Sequence, residues 1–144
     1  MGDGMMDRKS IIENFFEKYA SVSMKSEPDL HAKLYADDFI AAGPSGSAVF
    51  KNDAQFLEWL KRIYDFNKKT GMESIRVISV HDNPISGQYS LASVKWGAKY
   101  KKTGEELIHF EITYLLRFFQ NQIKILAYIS HEDQERVMKK RGIL

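Results

Sequence analysis

Residues 88–119 read QYSLASVKWGAKYKKTGEELIHFEITYLLRFF, and this stretch decides the fold. Every second side chain of its later half, 105–119, is apolar, and this period of two predicts a β-strand. Gly104 marks a tight turn, so the stretch predicts two long antiparallel strands at 88–102 and 105–119. A straight strand of the first length would extend about 50 Å at about 3.3 Å per residue, which is too long for a flat sheet in a small domain. We therefore expect the strand to bend, with a bulge or kink at Gly97 in its middle.

Helical spacing of apolar residues predicts three helices before this sheet. Ser10 with Glu13 forms a capping box that opens the first helix, and Gly71 ends the third. The predicted elements are, in chain order, a helix at 8–23, a helix from Ser26 to the run 35–38, a short strand pair at 39–42 and 48–50, a helix from Asn52 to Gly71, strands at 73–82, 88–102, 105–119 and 122–131, and a last helical turn or two at 133–141.

The order of these elements predicts an α+β fold, because it separates three N-terminal helices from one antiparallel sheet. A curved sheet of this kind is expected to wrap around the helices as a cone with a hollow inside. Such hollows are the usual place for a ligand. At 144 residues the chain fits a single domain, 1–144, with its core at about 8–133 and a short C-terminal helix or tail at 133–144.

Composition argues against several functional classes. Lys and Arg together number 21 against 19 Asp and Glu, and the resulting charge of +2 does not call for a nucleic acid partner. The absence of cysteine excludes disulfides, thiolate nucleophiles and thiolate metal sites. Residues 1–7 lack the apolar run of a signal peptide, and no stretch approaches the roughly 18 apolar residues that span a bilayer. We therefore expect a cytoplasmic protein that makes no membrane contact.

Two stretches of the sequence carry a family resemblance. Residues 34–39 read LYADDF and are followed by a GPSG turn at 43–46 and by a helix. Residues 113–118 read TYLLRF, and the strand after them ends in HED at 131–133. This pattern is similar to that of ketosteroid isomerases and SnoaL-like proteins in the nuclear transport factor 2-like superfamily. The resemblance covers about 8–133 and implies a cone-shaped, cystatin-like fold.

The resemblance also allows isomerase chemistry to be compared residue by residue. Ketosteroid isomerases abstract a proton with an Asp just before the Pro of the turn, and Gly43 occupies that place. They hold an enolate oxygen with a Tyr on the first helix and a protonated Asp on the penultimate strand. The matching positions are Phe15, which cannot donate a hydrogen bond, and Tyr114, which can. Isomerase activity is therefore not expected, and whether the chain catalyses another reaction stays open.

Strand parity predicts the lining of the hollow. On 105–119 the alternate set from Ile108 to Phe118 is apolar and is expected to face the helices, as do Trp96 and Tyr100 on the preceding strand. The predicted ligand-binding residues are Phe15, Tyr19, Tyr35, Trp96, Tyr100, Phe110, Ile112 and Tyr114. Such a lining suits a small hydrophobic or aromatic molecule held by stacking and one or two hydrogen bonds. The alternative is that these side chains fill the cone as core.

Three residues are candidates for catalysis. Asp38 lies nearest the predicted mouth and could act as a general base, although an Asp at such a place commonly caps a helix end or a turn. Tyr114 is the donor that the family comparison leaves. His131, at the end of the last strand, is either an acid or base at the rim or a surface residue. The adjacent residues His81 and Asp82, like His131 and its acidic neighbours, point to opposite faces of a strand, so no metal and no cofactor are expected.

The sequence leaves two functions open. The first is a SnoaL-like protein that binds a small hydrophobic molecule, with its reaction unassigned. The second is a non-catalytic association module that acts through a dimerising sheet. Leu91 and Leu115 face outward and the last strand, 122–131, is apolar on both faces, so a homodimer through the convex face is predicted. An open cavity lined by Trp96 and Tyr114 would favour the first function, and a filled cone would favour the second.

Overall fold

Four helices and six strands make up the part of the chain that a computed structural model describes, residues 7–144. Residues 1–6, on which the prediction about a signal peptide mainly rests, lie outside the described residues. The elements are α1 (Arg8–Met24), α2 (Pro28–Ala32), β1 (Tyr35–Gly43), β2 (Gly46–Lys51), α3 (Ala54–Lys69), β3 (Met72–Pro84), β4 (Tyr89–Tyr100), β5 (Leu107–Phe119), β6 (Gln122–Ser130) and α4 (Gln134–Lys140). None of the described helices combines the length and the apolar character needed to cross a bilayer.

The six strands form one sheet in the order β2-β1-β6-β5-β4-β3, and the helices pack on one of its faces. The α+β class and the meander from β3 to β6 are therefore confirmed. One pairing differs from the expected antiparallel sheet, because β1 runs parallel to β6. The sheet is mixed for a simple reason: a long stretch of chain separates β1 from β6, and no hairpin forces the two strands to run in opposite directions.

The bend of the sheet comes from β3 and not from Gly97. The pairing of β3 with β4 shifts between Met72 and Ser74 and again between Val77 and Ser79, as expected of β-bulges. The pairing of β4 with β5 runs through Gly97 without interruption. Gly97 serves a different purpose, since a Cβ atom there would lie 2.8 Å from Cδ1 of Ile78. The glycine leaves room for a side chain of the bulged strand, so the predicted kink lies across from it on the neighbouring strand.

The inward faces of β4 and β5 form the core that strand parity predicted. Their buried residues are Ser90, Ala92, Val94, Trp96, Ala98 and Tyr100 on β4, and Ile108, Phe110, Ile112, Tyr114 and Leu116 on β5. They lie against α1, which buries Ile12 and Phe16, and against α3, which buries Phe56, Leu60 and Tyr64. The period of two was therefore sufficient to separate the two faces of both long strands.

A bulge in β6 explains why both of its faces are apolar. Leu115 pairs with Ala127 and Leu116 pairs with Ile125, which leaves Leu126 as an extra residue in β6. Before the bulge the odd-numbered Ile125 is buried against the core, whereas after it Tyr128 pairs with the inward Tyr114. The inward face thus changes from odd to even positions. The bulge alone therefore explains why apolar residues occur at both odd and even positions of β6. A cover over both faces of the whole strand is not needed to explain them.

Three helix starts differ from the predicted caps. The N-cap of α1 is Asp7, whose side chain accepts a hydrogen bond from the amide of Ser10 at 2.8 Å. The N-cap of α3 is Asp53, which accepts from the amides of the next turn. Helix α2 begins only at Pro28, because Ser26 has a left-handed φ of 55°. The run 35–38, expected to end α2, belongs to β1.

Asn52 fixes the corner between α2 and β1 and does not cap α3. Its Nδ2 donates toward the carbonyl oxygens of Ala32, Tyr35 and Ala36 at 2.7, 3.1 and 3.3 Å. Its backbone amide donates to the carbonyl of Asp37 at 2.8 Å. This one residue thus directs its three N–H hydrogens toward four carbonyl groups of the corner that carries Tyr35 into the core.

We expect Asn52→Asp to destabilise the protein strongly and Asp53→Asn to leave it almost unchanged. The first change replaces the donating amide by a carboxylate facing three carbonyl oxygens and should lower the free energy of unfolding by about 3 kcal/mol. The second changes the same atoms at the neighbouring position, but Asn and Asp cap helices about equally well, so the loss should stay under about 0.5 kcal/mol. Urea unfolding of both variants measures this difference, and equal losses would contradict the role given to Asn52.

Candidate functional site

A cavity of about 390 Å³ lies between the concave face of the sheet and the helices. Strands β4 and β5 supply one wall with the inward residues Trp96, Tyr100, Phe110, Ile112 and Tyr114. The opposite wall comes from α1, α2 and α3, and α4 covers one side. The bent sheet therefore encloses a space that the core side chains do not fill.

Hydroxyl and indole groups cluster on the aromatic wall of the cavity. The hydroxyl oxygens of Tyr19 and Tyr35 are 2.6 Å apart. Trp96 donates from its Nε1 to the hydroxyl oxygen of Tyr114 at 3.1 Å. The rings of Tyr19 and Tyr114 lie 5.8 Å apart, centre to centre. Three phenols from three different elements thus meet on one patch of an otherwise apolar wall.

These phenols stay protonated at neutral pH. Burial raises the pKa of Tyr19, and nearby Tyr128 raises it further. Burial likewise raises the pKa of Tyr35 and of Tyr114 well above the usual value, and the neighbouring phenol of Tyr19 adds to both shifts. The patch therefore offers neutral hydroxyl groups, which can donate and accept hydrogen bonds but do not act as bases.

His31 of α2 also lies on the cavity wall and was missed by the sequence reasoning. Its side chain is 4% exposed, its Nδ1 lies 2.9 Å from the hydroxyl of Tyr64, and its Nε2 has no hydrogen-bond partner. Burial lowers the pKa of His31 to about 4, so the imidazole is neutral at pH 7. Helical spacing could not have found it, because α2 ends at Ala32 and Tyr35 already belongs to β1.

The rim of the cavity is polar. Arg62 of α3 and Glu135 of α4 are the charged residues of the lining within the described chain, and both are exposed. Gln134 donates from its Nε2 to the hydroxyl of Tyr128 at 3.0 Å, while the buried Met138 packs α4 onto the core. Among the lining residues of the described chain, fixed charge is therefore confined to the entrance, and the neutral polar groups are the phenols, the Trp96 indole, the His31 imidazole and the side chains of Ser23, Asn67 and Gln134.

The structure brings together most of the predicted pocket residues. Those that line the cavity are Tyr19, Tyr35, Trp96, Tyr100, Phe110, Ile112 and Tyr114. Phe15 does not line the cavity. It lies one helical turn before Tyr19, and its ring packs edge-on against that of Phe16, with the ring centres 5.1 Å apart. Gly43, at the position of the isomerase base, is also outside the lining.

Two of the three predicted catalytic residues lie away from the cavity. Asp38 is exposed on β1 next to Phe39, and alternation along the strand turns its side chain away from the cavity that Phe39 lines. His131 follows β6 and is exposed, with its Nε2 2.6 Å from the hydroxyl of the outward Thr113. Of the three, only Tyr114 lines the cavity. The expectation that Asp38 or His131 supplies an acid or base at the rim is therefore corrected, because both side chains lie away from the cavity.

Metal ligation has little basis in this arrangement. The part of the chain that the structure describes contains no group of three His, Asp or Glu side chains positioned to hold an ion. The interior of the cavity offers hydrogen-bonding groups of phenol, indole and imidazole type. Its chemistry is that of stacking and neutral hydrogen bonds.

The chain is similar to a known protein family and to several solved structures. A family model described as NTF2-like protein (DUF6841) matches residues 7–133. An NTF2-like protein of unknown function from Shewanella oneidensis has a similar structure, with a TM-score of 0.66 and 12% identity over 85% of this chain and 98% of that chain. No curated protein matches the sequence significantly.

Two further structures show how widely the fold is shared. A candidate scytalone dehydratase from Novosphingobium aromaticivorans has a TM-score of 0.61 and 15% identity over 84% of this chain and 80% of that chain. A candidate association domain of calcium/calmodulin-dependent protein kinase II from Xanthomonas campestris has a TM-score of 0.64 and 12% identity over 86% of both chains. At these identities the likeness shows the fold alone.

The depressed pKa of His31 predicts a specific loss of stability in mild acid. The usual histidine pKa is about 6.5, so between pH 6.5 and pH 4 the unfolded chain binds a proton at this site that the folded chain does not. The stabilisation that depends on the neutral imidazole is fully present above pH 6.5. The free energy of unfolding should fall by about 3 kcal/mol as the pH drops from 6.5 to 4. Urea unfolding at several pH values should show that the free energy of unfolding falls less steeply with decreasing pH in His31→Phe than in the wild type. An equal fall in both proteins would contradict the lowered pKa of His31.

Proposed function

The chain belongs to the NTF2-like protein family (DUF6841), as its resemblance to SnoaL-like proteins predicted, and we propose that its cavity binds a small hydrophobic molecule with an aromatic ring. The proposal is one of binding and names no reaction. The structure of the cavity supports it in three respects, namely its volume, its wall and the placement of its polar groups.

The observation that carries the proposal is an unfilled aromatic cavity in the core. Its volume of about 390 Å³ falls within the range of about 300–1,000 Å³ that ligand sites occupy. Rings such as those of Trp96, Phe110 and Tyr19 offer faces and edges to a flat ligand. With charge confined to the rim, a neutral apolar molecule enters without losing the hydration of a charge.

Tyr114 is the proposed polar contact of this site. Its oxygen accepts from Trp96 at 3.1 Å, and its hydroxyl also hydrogen-bonds with that of Tyr19, so a ligand engages this group by sharing or replacing the contact with Tyr19. A hydrogen bond from a neutral hydroxyl contributes roughly 1 kcal/mol to binding. The ring of Tyr114 is fully buried and packs 4.8 Å from that of Phe16, which fixes the direction of the hydroxyl.

Filling the cavity from β1 should weaken the binding of an aromatic probe. We expect 2-acetonaphthone to bind the wild-type protein, and Ala41→Phe to weaken that binding at least about tenfold, or ~1.4 kcal/mol, because Ala41 lines the cavity. Ala42→Phe is the matched control, since Ala42 pairs with the outward Ile129 on the other face of the sheet. Calorimetric titration measures all three proteins. Unchanged affinity in Ala41→Phe, or no binding by the wild type, would contradict the proposal.

A second candidate function rests on the outer face of the sheet. Directly paired residues form an apolar row across five strands, in the order Val49, Ile40, Ala127, Leu115 and Leu91. Val49 is 74% exposed and Ile40 is 45% exposed. Ala127 is buried and Leu115 and Leu91 are half-buried, so the exposed apolar side chains lie at the β2 and β1 end of the row. Exposed apolar surface of this kind commonly marks a protein contact. We propose that a second copy of the chain covers this row as a homodimer, so the protein could also act as an association module.

A charge within the row should separate the two copies. We expect light scattering at low micromolar concentration to give the mass of two chains for the wild type and of one chain for Leu115→Lys. His109→Lys lies on the same strand and the same face but outside the row, and it should keep the mass of two chains. A wild-type protein with the mass of one chain would rule out the dimer and leave the ligand proposal untouched.

A further inference from the structure

His31 is distinguished from the other buried polar side chains by an unsatisfied atom. Its Nε2 is the only buried side-chain nitrogen or oxygen without a hydrogen-bond partner among residues 7–144. Buried polar atoms are normally paired, and an exception in a native core calls for an explanation. This exception lies on the wall of the cavity, with the ring of Tyr19 only 4.8 Å from the imidazole, centre to centre.

The hydrogen bond on the other side of the ring determines what Nε2 can offer. The hydroxyl of Tyr64 has one hydrogen bond in the described part of the chain, to Nδ1 of His31. A phenol is a better donor than acceptor, and an unprotonated imidazole nitrogen is a strong acceptor. With Tyr64 as the donor to Nδ1, the single hydrogen of the neutral ring lies on Nε2. Nε2 of His31 is thus a buried donor that has no acceptor within the described part of the chain.

We infer that His31 donates this hydrogen bond to a neutral acceptor oxygen, a carbonyl group, on the ligand of the cavity. The inference rests on the proposed function, since it names the polar group of the molecule that the cavity binds. Tyr19 and Tyr35, whose hydroxyls are 2.6 Å apart, lie beside the imidazole and can add a second donor to the same oxygen.

A carbonyl fits the surroundings better than a charged or apolar group does. A carboxylate at this depth would need a cation, and the one cationic residue of the described lining is Arg62, exposed at the rim. A hydrocarbon would leave Nε2 unpaired. A carbonyl oxygen accepts two hydrogen bonds without bringing charge into the core. The ligand class is therefore a neutral aromatic molecule that carries a carbonyl group, such as a ketone, aldehyde, quinone or lactone.

Binding at His31 includes a small movement of Tyr19. Nε2 has almost no exposed surface, and Tyr19 packs edge-to-face against the imidazole. The ligand carbonyl therefore takes over space beside Nε2 that the Tyr19 ring covers. A shift of Tyr19 also changes its hydrogen bond with Tyr35, which links ligand entry to the phenol pair.

A pair of probes that differ only in the carbonyl tests the inference. We expect wild-type protein to bind 2-acetonaphthone about tenfold more tightly than 2-isopropenylnaphthalene, in which a methylene group replaces the oxygen. His31→Phe keeps a ring of similar shape and should bind both compounds with the affinity that the wild type has for the hydrocarbon. A role of His31 in structure alone would lower the affinity for both compounds and leave their ratio unchanged.

Nitrogen NMR of the wild-type protein provides a second test that needs no variant. Because burial lowers the pKa of His31 to about 4, its ring signals should stay constant between pH 5.5 and 8, and its spectrum should show the hydrogen on Nε2. Addition of 2-acetonaphthone should shift the Nε2 signal, whereas 2-isopropenylnaphthalene should not. Tyr64→Phe removes the hydrogen bond that fixes the tautomer, so it should reduce the preference for the ketone while both compounds still bind.

The outcomes separate the inference from the proposal on which it rests. Equal binding of the two compounds by the wild type, with no change at Nε2, would overturn the role of His31 while the hydrophobic cavity keeps its function. A failure of both compounds to bind would overturn both. A hydrogen found on Nδ1 would overturn the donor role even if the ketone binds more tightly.

Discussion

The bend of the sheet is the constraint on which the rest of the structure depends. Strands as long as β4 and β5 cannot lie flat in a domain of this size, and the two bulges of β3 give the sheet its curvature. The close approach of Ile78 to Gly97 shows how tightly the bulged strand fits its neighbour. Because the inner face is concave, side chains from β4 and β5 converge with those of the helices without filling the space between them.

The cavity combines aromatic rings with polar groups that burial keeps neutral. Burial raises the pKa of Tyr19, Tyr35 and Tyr114 and lowers that of His31 to about 4, so none of the four carries a charge at neutral pH. An unpaired buried nitrogen costs about 1–3 kcal/mol of stability. A fold that keeps such an atom beside a cavity is more readily explained by a binding partner than by packing alone.

The same strands serve two different surfaces. On β5 the even-numbered residues line the core and the cavity, while the odd-numbered Leu115 belongs to the outer apolar row. The bulge at Leu126 exchanges the faces of β6, so that Tyr128 faces inward and Ala127 outward. The proposed ligand site inside and the proposed contact surface outside therefore use different residues of one sheet, and a substitution can affect one without the other.

The sequence by itself determined the α+β class, the order of the elements and the inward face of β4 and β5, because these follow from periods of two and of 3.6 residues. It also identified most of the aromatic wall, including Trp96 and Tyr114. Only the tertiary structure decided the parallel pairing of β1 with β6, the exchange of faces at Leu126 and the position of His31 beside the cavity. Those features depend on contacts between residues far apart in the chain, which fix register and helix docking and leave no periodic signal in the local sequence.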